Sequence, residues 1–213
     1  QSSCTACQIG KYLVANTLNE PTNHNAESQC QPCQVGFEFT NITAPCQVCA
    51  KGTFQDQVTD NGVQCMSCSL GKYIDDDRSN PTKHTACLSC QVGFEFTDIT
   101  TLCQVCAGGK FQDTITTNSK PCTACPPNTF IADQRDDASY HDDSKDCLSC
   151  SPGTHSPAGS LFCDRCSAGK RTLKNTTSNE TKCLPCEGGR YQDVSGNDTC
   201  IDCPTGWYQT FPQ

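Results

Sequence analysis

The chain has 213 residues, of which 22 are cysteine and only one each tryptophan and methionine, and its mean hydropathy is −0.53; such a composition cannot build a large apolar core. Cysteine at about one residue in ten marks a disulfide scaffold from an oxidising compartment, because cytosolic reductants keep thiols open, so the chain reads as extracellular, either secreted or at the cell surface. A net charge of −8 with no lysine or arginine cluster argues against nucleic acid as a partner.

No apolar run approaches the ~18 residues of a membrane span, and no charged-then-apolar leader stands at Gln1. The reading is that a leader has been removed or that the chain begins inside a longer product.

In chain order, every cysteine falls in a C-x-x-C pair. Residues 1–29 hold Cys4/Cys7 and read as an N-terminal half module followed by a first complete module. A first repeat block, 30–86, carries Cys30/Cys33, Cys46/Cys49 and Cys65/Cys68. A second, 87–146, carries Cys87/Cys90, Cys103/Cys106 and Cys122/Cys125, and a third, 147–199, carries Cys147/Cys150, Cys163/Cys166 and Cys183/Cys186. The tail, 200–213, opens on Cys200/Cys203 and reads as a C-terminal half module. The words CQVGFEFTNIT at Cys33 and CQVGFEFTDIT at Cys90 show that the array arose by duplication.

Three residues beyond the second cysteine of each pair stand Gly10, Gly36, Gly52, Gly71, Gly93, Gly109, Asn128, Gly153, Gly169, Gly189 and Gly206. Only glycine and asparagine occur there, the residues that most readily accept positive φ, so a left-handed turn is expected after every pair. Two residues later an aromatic usually follows: Tyr12, Phe54, Tyr73, Phe111, Phe130, Tyr191 and Tyr208. Each ring is expected to cover a neighbouring disulfide in place of a core. Glu38 and Glu95, flanked by Phe37/Phe39 and Phe94/Phe96, and His155 and Arg171 depart from that pattern.

The spacers between pairs run 22, 12, 15, 18, 12, 15, 21, 12, 16 and 13 residues, a long, short, medium cycle. Rich in Gly, Pro, Asn, Asp and Thr, they favour turns and small hairpins. The expected fold is therefore an elongated rod of about eleven small disulfide-rich repeats with almost no helix and no single hydrophobic core. Closing a loop of ~15 residues contributes about 3 kcal/mol in the chain-entropy picture, and each module is expected to touch only its neighbours.

The pattern C-x-x-C-x-x-G-x-[YF] resembles the cysteine-rich repeats of tumour necrosis factor receptors and the ephrin-receptor-like repeats of large surface proteins, including those of protists and algae. The resemblance runs along the whole chain. It implies bridges that each enclose one Gly-aromatic turn: Cys7 with Cys30, Cys33 with Cys46, Cys49 with Cys65, Cys68 with Cys87, Cys90 with Cys103, Cys106 with Cys122, Cys125 with Cys147, Cys150 with Cys163, Cys166 with Cys183 and Cys186 with Cys200. The residues by themselves also admit a pairing of first with first and second with second cysteines, as in Cys4 with Cys30.

The enclosing scheme leaves Cys4 and Cys203 without partners. Ten residues follow Cys203 and three precede Cys4, so tail and head together enclose 13, the number between Cys186 and Cys200. Copies joined head to tail would complete an eleventh module, with Trp207 serving the junction, and non-closing contacts of that kind generate filaments. The sequons at Asn41, Asn175, Asn179 and Asn197 are expected to carry N-linked glycans.

Competing chemistries fit less well. Zinc sites would consume the eleven pairs two at a time and leave one over. A redox C-x-x-C requires a helix N-terminus that the spacers do not offer. The acidic runs at Asp75–Asp77, Asp136/Asp137 and Asp142/Asp143 lack the calcium-loop pattern and read as solvated. His24, His84 and His141 recur a few residues before a closing cysteine, as duplication explains. No catalytic constellation stands out, so neither enzyme activity nor a cofactor or metal is expected. The reading is a structural repeat unit of a glycosylated extracellular filament or coat, with copies of itself and other extracellular proteins as partners. The alternative is a receptor-like or adhesive ectodomain that binds a protein ligand.

Overall fold

The computed structural model describes residues 4–13, 26–58, 62–115, 120–174 and 181–209. Ten bridges are formed, Cys7–Cys30, Cys33–Cys46, Cys49–Cys65, Cys68–Cys87, Cys90–Cys103, Cys106–Cys122, Cys125–Cys147, Cys150–Cys163, Cys166–Cys183 and Cys186–Cys200. They define repeats 1 to 10 in that order, and each encloses one turn. Cys4 and Cys203 are unpaired thiols.

All eleven glycine or asparagine positions after the pairs have φ between +65° and +97°. In repeat 2 the Phe37 N–H donates to the Gln34 carbonyl at 3.1 Å across Gly36, and in repeat 10 the Arg190 N–H donates to the Glu187 carbonyl at 3.1 Å across Gly189. A β-turn with its third residue left-handed is the type II arrangement, which glycine satisfies without a Cβ penalty. In repeats 1 to 10 each turn feeds a short strand that pairs antiparallel with residues around the closing cysteine. Phe37–Glu38 thus pair with Gln47–Val48, Phe94–Glu95 with Gln104–Val105, and Arg190–Tyr191 with Ile201–Asp202. The longest hairpin joins Lys170–Lys174 to Thr181–Pro185. Every sheet is two-stranded. Among the described residues there is no α-helix, only 3-10 turns at Glu27–Gln29, Pro81–His84, Ala138–Tyr140 and Ser144–Asp146.

Sulfur takes the place of a core. Among the described residues Cys33, Cys49, Cys68, Cys90, Cys106, Cys122, Cys125, Cys166 and Cys186 are buried, and the apolar residues buried with them are few: Ile74, Phe111 and Ile131. Phe111 of repeat 6 packs with Cys125, Ile131 and the half-buried Cys147 of repeat 7, so its ring covers the following repeat's disulfide as expected.

The chain forms two compact units. One comprises Gln1–Cys90, Phe96–Cys103 and Thr116–Lys120; the other comprises Gln91–Glu95, Gln104–Ile115 and Pro121–Gln213. Inside each, backbone hydrogen bonds stitch consecutive repeats together. In the first unit the Gly36 N–H donates to the Gln55 carbonyl at 2.7 Å and the Cys49 N–H to the Gly36 carbonyl at 3.0 Å. The second unit repeats the scheme, with the Gly93 N–H on the Gln112 carbonyl at 2.8 Å and the Cys106 N–H on the Gly93 carbonyl at 2.9 Å.

Contact does not stop at the neighbour, which corrects the nearest-neighbour expectation. A Cβ at Gly36 of repeat 2 would meet the Pro81 carbonyl of repeat 4, one at Gly93 of repeat 5 the Ala138 backbone of repeat 7, and one at Gly153 of repeat 8 the Gly196 backbone of repeat 10. At Gly36, Gly93 and Gly153 the turn glycine is therefore required twice, for its positive φ and for the close approach of a loop two repeats further on.

Candidate functional site

The two long spacers of the described chain fold back as straps over the two repeats that precede them. In the first unit the strap is the Cys68–Cys87 loop of repeat 4. His84, fully buried, sets its Nδ1 3.1 Å from the Thr53 carbonyl of repeat 3 and its Nε2 3.3 Å from Asp76 Oδ1. The His84 carbonyl accepts the Gln55 N–H at 2.9 Å. The second unit builds the same device from the Cys125–Cys147 loop of repeat 7. His141 lies 2.7 Å from the Lys110 carbonyl through Nδ1 and 3.1 Å from Asp133 Oδ2 through Nε2, and its carbonyl accepts the Gln112 N–H at 2.8 Å.

The Asp partners are held as anions. The Ser79 hydroxyl on Asp76, followed by the Asn80 N–H and the His84 ring, holds that carboxyl far below the ordinary range. At Asp133 the Asp137 N–H is the largest cause of the same downward shift, with His141 adding to it. Asp76 is only 7% exposed, so the solvated reading of the Asp75–Asp77 run is wrong at its middle residue. A histidine with no exposed surface and both ring nitrogens engaged offers a substrate no approach. These groups lock repeats together.

The straps also explain the departures at Glu38 and Glu95. Arg78 places Nη1 3.3 Å from Gln47 Oε1 and Nη2 3.6 Å from Glu38 Oε1. Arg135 places the same nitrogens 3.0 Å from Gln104 Oε1 and 3.2 Å from Glu95 Oε1. Each arginine thus grips the cross-strand Glu/Gln pair of the hairpin two repeats back, and its own φ is positive, 61° at Arg78 and 78° at Arg135. Arg171 pairs with Glu187 at 3.2 Å, and His155 lies opposite Asp164 across its hairpin.

The glutamine that follows the aromatic went unassigned in the sequence reading. Gln55, Gln112 and Gln192 are buried. Gln192 donates to the Thr199 carbonyl at 2.5 Å, just before the closing Cys200, and accepts the Val194 N–H at 3.0 Å. Gln112 reaches the Pro121 carbonyl before Cys122 in the same way, at 3.3 Å. The signal was present in the recurring order Gly, any residue, aromatic, Gln.

The C-terminal repeats differ. Among the described residues nothing lies within 4 Å of a Cβ placed at Gly169, Gly189 or Gly206. Trp207 is 77% and Tyr208 87% exposed, and with Tyr191, Cys203, Pro204 and Gln209 they line an open groove of about 420 Å³. The register of the array continues into it, since the Cys203 N–H donates to the Gly189 carbonyl at 2.9 Å and the Gly189 N–H to the Gln209 carbonyl at 3.5 Å. Cys4 is exposed and Cys203 half-buried. Of the sequons, Asn41 is exposed with Oδ1 accepting the Thr43 N–H and hydroxyl at 2.9 and 2.8 Å. Asn197 is exposed with Nδ2 3.2 Å from Gln192 Oε1. Asn175, Asn179 and His24 lie outside the described residues.

Residues 174–213 match the family described as tyrosine-protein kinase ephrin type A/B receptor-like. The chain is 25% identical over 208 residues to Cysteine repeat modular protein 2 of Tetrahymena thermophila, a match covering 93% of this chain and 10% of that protein. It is 34% identical over 131 residues to the mouse Signal peptide, CUB and EGF-like domain-containing protein 2, covering 61% of this chain and 11% of the relative. It is also 24% identical over 226 residues to Variant-specific surface protein VSP4A1 of Giardia intestinalis, covering 96% and 30%. The chain thus spans between a tenth and under a third of the length of these relatives. It is an extracellular cysteine-rich repeat array, similar in residues 174–213 to the ephrin-receptor-like family and along most of its length to a cysteine repeat modular protein and a variant-specific surface protein.

Proposed function

We propose that this chain is the structural repeat unit of an extracellular, glycosylated filament or cell-surface coat, joined head to tail through Cys203 of one copy and Cys4 of the next. One observation carries the reading: the hairpin register and turn geometry of the array run unbroken into Gly206 and Gln209, where Cys203 holds the place that in every complete repeat is bridged. Copies joined there would share an eleventh bridge, and a heterologous contact of that kind extends without closing. The unit works as a non-catalytic strut, its buried histidines serving as ties. Asn41, with its Oδ1 already held by Thr43, is the better presented of the two described glycan acceptors.

The test is electrophoresis and negative-stain electron microscopy of native material before and after reduction. Filaments, or a ladder in steps of one glycosylated unit that collapses on reduction, are expected. A single monomeric species with Cys4 and Cys203 both open to alkylation would overturn the reading. A discrete complex with an unrelated protein seated on Trp207 and Tyr208 would favour a receptor-like role.

A further inference from the structure

Each strap holds its histidine between two groups that can only accept. A backbone carbonyl carries no proton, so Nδ1 of His84, 3.1 Å from the Thr53 carbonyl, and Nδ1 of His141, 2.7 Å from the Lys110 carbonyl, must donate. The second nitrogen, Nε2, faces Asp76 Oδ1 at 3.3 Å in one strap and Asp133 Oδ2 at 3.1 Å in the other. Those carboxylates already receive donors. Asp76 Oδ1 accepts the Ser79 and Asn80 N–H groups at 2.8 and 3.2 Å, and its Oδ2 accepts the Ser79 hydroxyl at 2.8 Å. Asp133 Oδ2 accepts the Asp137 N–H at 3.1 Å. A carboxyl so placed is ionised and has no proton to give, so Nε2 donates as well. A neutral imidazole has one N–H and one lone pair. In either site, where the ring is fully buried, that lone pair would face the lone pair of an oxygen.

We infer that His84 and His141 are imidazolium cations whenever the straps are closed, and that each strap is a proton-gated clasp. Loss of the ring proton removes one of the two hydrogen bonds and leaves Asp76 or Asp133 facing a lone pair, and a buried carboxylate that loses its cation is strongly unfavourable. The carbonyl of the same histidine holds the Gln55 or Gln112 N–H of the repeat beneath, so a released ring lets go of repeat 3 or repeat 6. The sign is opposite to that of the carboxylates. Their share is lost as pH falls, the ring's share is lost as pH rises through its titration, and the strap is closed between the two.

The charged groups of the strap and of the repeats under it differ between the two copies. At His84, Lys83 Nζ lies 3.5 Å from Asp76 Oδ2, Lys51 of repeat 3 pairs with Asp77 at 3.7 Å, and Arg78 pairs with Glu38 of repeat 2 at 3.6 Å. At His141 the strap supplies Asp137, which acts on the ring through space, and Lys145, paired with Asp143 at 3.5 Å. Repeat 5 adds Glu95, paired with Arg135 at 3.2 Å, and repeat 6 presents Lys110 through its carbonyl. Tyr140 stands where Lys83 stands. Among the described residues Asp133 therefore has no cation at ion-pair distance but His141, whereas Asp76 also has Lys83.

The test is ring nitrogen NMR of the full-length, disulfide-intact chain across a titration from about pH 5 to about pH 9, with amide hydrogen exchange read on the same samples. Both ring nitrogens of His84 and His141 are expected to give protonated, imidazolium signals for as long as the Gln55 and Gln112 backbone N–H groups are protected. As the rings lose their protons, that protection, taken relative to the Arg190 N–H, is expected to fall about tenfold or more. Asp133→Asn offers a neutral ring a side-chain N–H in place of the carboxylate, so it should remove the alkaline loss at Gln112 and leave the loss at Gln55. A ring with one nitrogen unprotonated, in a strap whose glutamine backbone N–H is still protected, would overturn the inference. So would Gln112 protection that stays unchanged through the ring titration in the parent chain, or an alkaline loss at Gln112 that persists in Asp133→Asn.

Discussion

The hairpins of repeats 5 to 7 and those of repeats 8 to 10 lie in one compact unit and share one design, yet they are closed over differently. The Cys125–Cys147 bridge joins positions 22 apart and the Cys186–Cys200 bridge positions 14 apart. The longer loop brings Arg135, Asp133 and a buried His141 onto repeats 5 and 6. The shorter one brings Gly196 over Gly153 through backbone, with its N–H donating to the Cys166 carbonyl at 2.8 Å, and, among the described residues, a single exposed side-chain pair, Glu187 with Arg171 at 3.2 Å. The longer spacer therefore locks its predecessors with a buried side chain, His141, where the shorter one covers them mainly with backbone, while the turn and the bridge stay the same.

The sharpest way to break this comparison is a methyl group. Gly93→Ala faces both a left-handed φ and the Ala138 backbone, so it should cost about 3 kcal/mol, combining the αL penalty with overpacking. Gly189→Ala, with open space before it among the described residues, should cost only the αL part, about 1–2 kcal/mol. Amide hydrogen exchange of each hairpin, with bridges intact, measures the two side by side. Next in size, His141→Ala should lower protection in repeats 5 to 7 by about 2 kcal/mol, through loss of a fully buried hydrogen-bonded ring, and leave repeats 9 and 10 unchanged.

A smaller effect is expected at the arginine clamp. Arg135 is 45% and Glu95 21% exposed in their side chains, so Arg135→Ala should cost under about 1 kcal/mol, within the usual range of a solvent-accessible pair. Protonation should act on the straps and on the turn at Asp98, whose carboxyl the Thr100 hydroxyl and N–H hold low. Because the Asp76 and Asp133 pKa values are depressed, their contribution is full above the ordinary carboxylate range and is lost as pH falls towards the folded values. Exchange of the Gln55 and Gln112 amides, which the straps hold, should then accelerate in acid more than that of Arg190.

Much of the hairpin was legible in the residues, because a positive-φ turn restricts its residue to glycine or asparagine and leaves that mark at eleven places. The bridges that enclose each turn came from the family resemblance, since spacing alone also admitted the alternative pairing. The straps were hidden for a different reason. Asp76 reads as a solvated acid and Glu38 as a misplaced aromatic until the loop is seen to fold back across two repeats, and no local periodicity encodes that return. Its trace is only the fixed spacing of Arg, Asp and His within the long spacers, a spacing that duplication alone also produces.

Non-reducing peptide mapping of native material, directed at the peptide that contains Cys203, is the decisive measurement. A disulfide from Cys203 to the Cys4 peptide, or an uninterrupted peptide reading F-P-Q-Q-S-S-C, is expected of a unit that repeats head to tail. Cys203 and Cys4 each bonded to unrelated sequence, or both present as free thiols in the assembled material, would contradict it.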